Sequence, residues 1–198
     1  MTLDSYIRSL RGKTVSVVGL GVSNRPLLRL LLDAGYAVTV RDKRTRDRFG
    51  EEEAAALENA GCRLVLGEAY LAGLTEDVIF RTPGLHPFTP ELAAAKERGA
   101  VLTSEMEAFF AVCPCRIVAV TGSDGKTTTT TMISELLKAQ GRRVFLGGNI
   151  GTPLLDKAPD MTPDDWVVLE LSSFQLHSMT CRPDISVITN VSPNHLDV

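Results

Sequence analysis

The chain has no long apolar run. The leucine-rich stretch Leu27-Leu28-Arg29-Leu30-Leu31-Leu32 is broken by an arginine and is far too short to span a bilayer, so no membrane partner is expected. The N-terminus, MTLDSYIRSLRGK, lacks the apolar centre of a secretory signal. The four cysteines, Cys62, Cys113, Cys115 and Cys181, contain no C-x-x-C pair, and Cys113-Pro114-Cys115 has the wrong spacing for a zinc knuckle. Excess positive charge is also missing: the formal net charge is −3, which argues against a nucleic-acid partner. No repeat or low-complexity tract interrupts the chain. These absences point to a cytoplasmic protein with reduced thiols. What remains is ordinary for a globular chain: 44% hydrophobic and 23% charged residues, and 198 residues in all, enough for one large domain or two small ones.

The strongest positive signal is AVTGSDGKTTTT, Ala119 to Thr130. Arg116 to Val120 reads as a short buried strand, and Thr127 to Gln140 as a helix closed by Gly141. Between them, Gly122-Ser123-Asp124-Gly125-Lys126-Thr127-Thr128 forms a turn opening a helix, the context a phosphate-binding loop needs. Glycines let backbone N–H groups converge on anionic oxygens, the helix start adds partial positive charge, and Lys126 adds a full one. Thr127 places a hydroxyl where a phosphate-bound Mg²⁺ sits. The full Walker A pattern would put a glycine at position 120, which is Val120 here, so the pattern is the shorter G-x-x-G-K-T-T. Asp124 must turn outward, because a carboxylate repels bound phosphate.

Upstream, a β-branched run ending at Val18 leads into Gly19-Leu20-Gly21. A helical pattern follows, with Leu27, Leu28, Leu31 and Leu32 spaced to face a core, and Gly35 ends it. Ala37 to Val40 is a second strand with Asp42 just past its end. This order is that of a Rossmann βαβ unit. Asn24 stands where the third glycine of G-x-G-x-x-G would be, so the turn alone is weak evidence for a dinucleotide. Further strands are expected over Arg63–Leu66 and Val78–Arg81, and helices over Glu51–Asn59, Pro90–Arg98 and Ser104–Phe110. Gly84, past the strand ending at Arg81, belongs on the same rim as Gly19 and Asp42. His86 reads as a surface loop residue. A boundary is expected at Val112-Cys113-Pro114-Cys115.

In the second half, Arg142 to Leu146 is a strand running into Gly147-Gly148-Asn149-Ile150-Gly151. Trp166 to Leu169 is an apolar strand ending in Glu170. A carboxylate at the end of a buried strand beside a phosphate-loop strand is the usual place for a Mg²⁺ ligand. Ser172 and Gln175 follow on the same rim. Ile185 to Val191 is the last strand, and His195 lies past its end, while His177 has no such placement.

With VTGSDGKTTT, GGNIGTPL, ELSSFQL and TNVSPNHLDV in this order, and the GLGVSN and RTPGLHP turns before them, the chain resembles the Mur ligases, ATP-dependent amino-acid-adding enzymes of peptidoglycan synthesis. The resemblance implies an α/β chain with a Rossmann-like parallel-sheet domain over 1–112, followed by a phosphate-loop ATP-binding domain over 113–198 that is truncated at its C-terminal end. It implies that the first domain binds UDP rather than a dinucleotide, with Val22, Ser23 and Asn24 at the diphosphate and Asp42, Lys43 and Arg44 near uracil and ribose. It places Lys126 on the γ-phosphate of ATP, Thr127 and Glu170 on one Mg²⁺, His195 on a second, and Asn149, Ser172 and Gln175 on substrate. ELSSFQL with a short N-terminal domain favours the branch that joins D-glutamate to UDP-N-acetylmuramoyl-L-alanine through an acyl phosphate. The loop departs from the family's frequent T-G-T-N-G-K at Ser123 and Asp124.

The family's central domain continues well past position 198 and a third domain follows, so this chain is expected to be a fragment, inactive by itself, of an enzyme that is monomeric at full length. Three alternatives remain open: another Mur or folylpolyglutamate-type ligase, a non-catalytic ATP-binding module, and an NAD-dependent oxidoreductase suggested only by Gly19 to Asp42.

Overall fold

A computed structural model describes residues 1–150 and 152–193 of the chain. Its frame is two wholly parallel sheets. The first has five strands, β1 (Val15–Val18), β2 (Val38–Asp42), β3 (Arg63–Leu66), β4 (Val78–Arg81) and β5 (Val101–Thr103), in the order β3-β2-β1-β4-β5. The second has four, β6 (Arg116–Thr121), β7 (Val144–Gly148), β8 (Trp166–Glu170) and β9 (Ile185–Ile188), in the order β7-β8-β6-β9. The first order is that of a doubly wound mononucleotide-binding half, as the strand–glycine–helix–strand pattern implies.

Parallel sheets bury both faces, which is why the central strands are near-continuous apolar runs. All four residues of β1 are buried, and its side chains alternate between two cores. Val15 and Val17 join one cluster, while Val18 meets Leu71, Leu74, Ile79 and Leu92 on the opposite face. The glycine turn after β1 opens α2 (Asn24–Asp33), whose Leu27, Leu28 and Leu31 are buried. Leu32, expected on the same face, is only half-buried.

The first of these clusters is continuous between the sheets. It runs from Val15, Leu27 and Phe80 through Phe109 and Val112 of α6 (Glu105–Val112) to Ile117, Leu155, Val167 and Leu169. A 3₁₀ segment, Leu155–Asp160, packs against both α2 and α6. Neither that segment nor the N-terminal helix α1 (Leu3–Ser9) was expected from periodicity. The phosphate-loop helix, α7 (Lys126–Ala139), starts one residue earlier than expected. Strand β9 ends at Ile188 rather than Val191, because Thr189 to Ser192 turn their polar groups onto the phosphate loop. Two further short helices, α3 (Arg46–Phe49) and α8 (Ser173–Leu176), and the expected α4 (Glu51–Asn59) and α5 (Pro90–Glu97) complete the cover.

Candidate functional site

Ligands of open parallel sheets bind past the carboxyl ends of the strands. Here the carboxyl ends of the two sheets share a cleft of about 840 Å³, lined by Pro83 and Gly84 from the first and by Gly122, Lys126, Asn149, Ser172 and Asn190 from the second. A smaller cleft of about 390 Å³ lies over the first sheet alone, lined by Gly19 to Gly21, Asp42 to Arg44, Tyr70, Thr82, Gly84 and Leu85. Gly84 borders both.

At the phosphate loop, Gly125 adopts a left-handed conformation (φ 75°) and the first turn of α7 follows it directly. Lys126 is folded back, its Nζ donating to the carbonyls of Gly122 at 2.7 Å and Ser123 at 2.9 Å. Its ammonium thus sits over the loop. Asp124 is exposed.

Glu170, at the end of β8, is 2% exposed. The Thr127 hydroxyl donates to its Oε2 at 2.7 Å and Asn149 Nδ2 donates to its Oε1 at 2.9 Å. Among the described residues no lysine, arginine or histidine forms an ion pair with it. A buried carboxylate held by two neutral donors and no cation is an arrangement that a divalent ion would complete. Asn149 is fixed from below as well: its N–H donates to the Glu170 carbonyl at 2.7 Å, and Gly148 has no room for a side chain, since a Cβ there would lie 2.1 Å from that same oxygen. The oxygens of Glu170 and Thr127 suit a hard cation such as Mg²⁺, while Asn149 holds the carboxylate through its amide N–H. His195, expected as a second metal ligand, lies outside the described residues.

Several residues expected at ligands also bond within the chain. Ser172 and Gln175 form a capping box for α8: Ser172 N–H and Oγ donate to Gln175 Oε1 at 2.9 and 3.1 Å, and Gln175 N–H donates back to Ser172 Oγ. Gln175 is buried by this pairing and serves the turn after Glu170. Asn24 is also buried. Its Nδ2 donates to the carbonyls of Val18 and Gly19, so its side chain ties down the β1 turn. Val22 and Ser23 stand at the rim before α2, with Val22 exposed.

Asp42 keeps its rim position but is bonded on both oxygens, by the Leu20 and Arg44 N–H groups and by the Arg44 guanidinium. Burial pushes its carboxyl up, and the bonds from Arg44 and Leu20 outweigh that and hold it below the usual carboxylate range. The Arg44 side chain also donates to the Leu20 carbonyl and lies over the Phe49 ring, whereas Lys43 is exposed.

Several buried charges escaped sequence reasoning, Arg41, Glu76, Arg81 and Glu105 among them. Arg41 is 2% exposed and pairs with Glu76 at 3.0 Å, its remaining N–H groups donating to the carbonyls of Tyr70, Ala72 and Gly73. Arg81 joins the halves, donating to Leu85 O at 2.9 Å and to Ser178 Oγ at 2.6 Å. Glu105 accepts the Leu155 N–H, and burial pushes its carboxyl up to about 7. The only sequence signal for any of them is a charge inside an otherwise apolar element. The four thiols are free, and burial raises the pKa of each, which makes them structural.

Comparison with known proteins fits this geometry. Residues 13–104 match the family described as "Mur ligase MurD-like, N-terminal domain", and residues 120–198 match "Mur ligase middle domain". The chain is 50% identical over 196 residues to the UDP-N-acetylmuramoylalanine--D-glutamate ligase of Clostridium kluyveri, covering 98% of this chain and 43% of that protein. It is 54% identical over 190 residues to the protein of the same name from Clostridium botulinum, covering 96% of this chain and 41% of the relative. The chain therefore spans well under half the length of these curated relatives. Among solved structures, the UDP-N-acetylmuramate:L-alanyl-gamma-D-glutamyl-meso-diaminopimelate ligase from Neisseria meningitides superposes with a TM-score of 0.50 at 20% identity, over 94% of this chain and 63% of that one, a likeness of fold.

Proposed function

The chain belongs to the Mur ligase family, and on that premise we propose that it forms the nucleotide-handling part of an ATP-dependent ligase joining D-glutamate to UDP-N-acetylmuramoyl-L-alanine in peptidoglycan precursor synthesis. The observation that carries the reading is the uncompensated Glu170, bonded to Thr127 and to Asn149, which itself lines the cleft shared with the first sheet. Residues 1–112 are the UDP-substrate domain and 113–198 the start of the ATP domain.

In this reading the smaller cleft takes the UDP group. Gly19 to Gly21 and Lys43 line it, and the Asp42–Arg44 pair gives its floor a fixed shape. ATP phosphates lie on the first turn of α7, where the orphan N–H groups of a helix start converge. Lys126 Nζ exchanges its two carbonyl partners for γ-phosphate oxygen. The substrate carboxylate attacks the γ-phosphorus and ADP leaves, and the D-glutamate amine then attacks the acyl carbon of the mixed anhydride, losing a proton as phosphate departs. Glu170 and Thr127 would hold one Mg²⁺ and His195 a second, which would supply charge neutralisation for the transferring phosphoryl group. Asn149 orients the Glu170 carboxylate for that task.

The test is phosphate release by the full-length polypeptide. It should require ATP, Mg²⁺, UDP-N-acetylmuramoyl-L-alanine and D-glutamate together, with other amino acids failing to replace D-glutamate. Release that ignores the UDP substrate, or that prefers another amino acid, overturns the assignment.

A further inference from the structure

The phosphate loop carries two glycines within four residues, and a glycine-rich loop is costly to order. In this chain it is held from one side. Asn190 Oδ1 accepts the Asp124 N–H at 3.0 Å while its Nδ2 donates to the Asp124 carbonyl at 3.2 Å. The Thr189 hydroxyl donates to that carbonyl at 2.6 Å. The Asn190 carbonyl accepts the Ser123 N–H at 3.1 Å. Ser123 Oγ both donates to the Ser192 carbonyl and accepts the Ser192 N–H, each at 2.8 Å. One short segment past β9 thus brackets both central residues of the loop, backbone and side chain together.

The approach is so close that it dictates a residue type. A Cβ at Gly122 (φ 140°) would lie 2.1 Å from Thr189 Oγ1 and 2.9 Å from the Asn190 carbonyl. The loop's first glycine is therefore required by the strap beside it, whatever the phosphate needs. The same bonds withhold the Ser123 and Asp124 amides from any anion, leaving the first-turn amides of α7 and the Lys126 ammonium to meet it.

We propose that Asn190, with Thr189 and Ser192, is a positioning unit that presets the phosphate loop for nucleotide. This rests on the reading of that loop as the ATP site. Asn190 acts through the loop backbone and is exposed, so its replacement disturbs no core packing. Presetting lowers the ordering cost at binding and leaves the chemical step alone, so its signature is a split between KM and kcat.

The experiment uses Asn190→Ala in the full-length polypeptide, with two readouts. Without nucleotide, hydrogen exchange at the Asp124 amide should speed up about tenfold or more as its acceptor is lost. In the ligation assay the KM for ATP should rise about tenfold while kcat stays within about twofold. Faster exchange with an unchanged KM makes the strap merely structural and overturns the proposal. A raised KM with unchanged exchange makes Asn190 a direct nucleotide contact and overturns it too. Lys126→Ala is the control: if it leaves ATP use intact, the nucleotide reading of the loop fails, whereas an inactive Lys126→Ala beside a wild-type-like Asn190→Ala rejects the strap alone.

Discussion

Replacing Glu170 by glutamine should make the protein more stable and nearly inactive. The carboxylate is buried, with hydrogen bonds from Thr127 and Asn149 and no cation beside it. Glutamine has the same shape and keeps both bonds: Oε1 still accepts from Asn149, and Nε2 donates to the Thr127 hydroxyl, whose own hydrogen then turns to solvent. What is removed is the charge. Desolvating a carboxylate costs several kcal/mol, and two hydrogen bonds to a charged acceptor return about 1.5–3 kcal/mol each, so the net gain on neutralisation is about 1–2 kcal/mol. For a chain of this size that is a rise of roughly 2–8 °C in melting temperature in buffer without divalent ions. Activity should fall at least roughly a hundredfold, since the lost charge is the one that would hold the metal against the phosphates. The assay is a pair of thermal melts, with and without Mg²⁺ and ATP, beside turnover of the full-length polypeptide. A variant that melts below the wild type without metal would mean that the Glu170 charge is already compensated, and the inference from its burial to a cation site would fall.

Lys126→Ala should abolish ligation, a loss on the order of 3–5 kcal/mol in the phosphoryl-transfer barrier, while calorimetry finds UDP-substrate affinity nearly unchanged. Glu76→Ala should destabilise the chain by about 3 kcal/mol in urea unfolding, because it strands the Arg41 guanidinium with only carbonyl partners; a cost below about 1 kcal/mol would contradict that. Glu105 has a folded pKa raised from its ordinary 4.5 to about 7, so the native state holds its proton longer than the unfolded chain. Stability attributable to this group is therefore present below pH 4.5 and is lost as pH rises through about 7, a change on the order of 3 kcal/mol that Glu105→Gln should remove, seen as a flatter stability–pH curve.

Most of the fold could be read from the sequence because its parallel strands are short apolar runs punctuated by glycine, and α4 was placed to the residue. The phosphate loop and Glu170 were equally readable, since strand, turn and helix each left a local mark. Asn24, Ser172 and Gln175 were not, because spacing puts a residue on a rim and says nothing about which neighbour claims its side chain. Each is taken by a bond within its own turn. Asn190 was missed for the opposite reason: its partners lie 66 residues away, and only the pairing of β9 with β6 brings them together. Arg81 and Glu105 likewise make sense only once two sheets are set side by side.

The apolar cluster that runs unbroken from Val15 to Leu169 has a consequence for dissection. The two matched families divide this polypeptide between positions 104 and 120, yet Phe109 and Val112, just inside that gap, are packed in the same cluster as Leu155 and Val167. Cutting there would strip Phe109 of neighbours it has in the whole chain and expose the face of α6 that meets the 3₁₀ segment. Chimaeras that exchange one half for a homologue's must carry α6 and the 3₁₀ segment as a matched pair, or they will join two sheets around a core that belongs to neither.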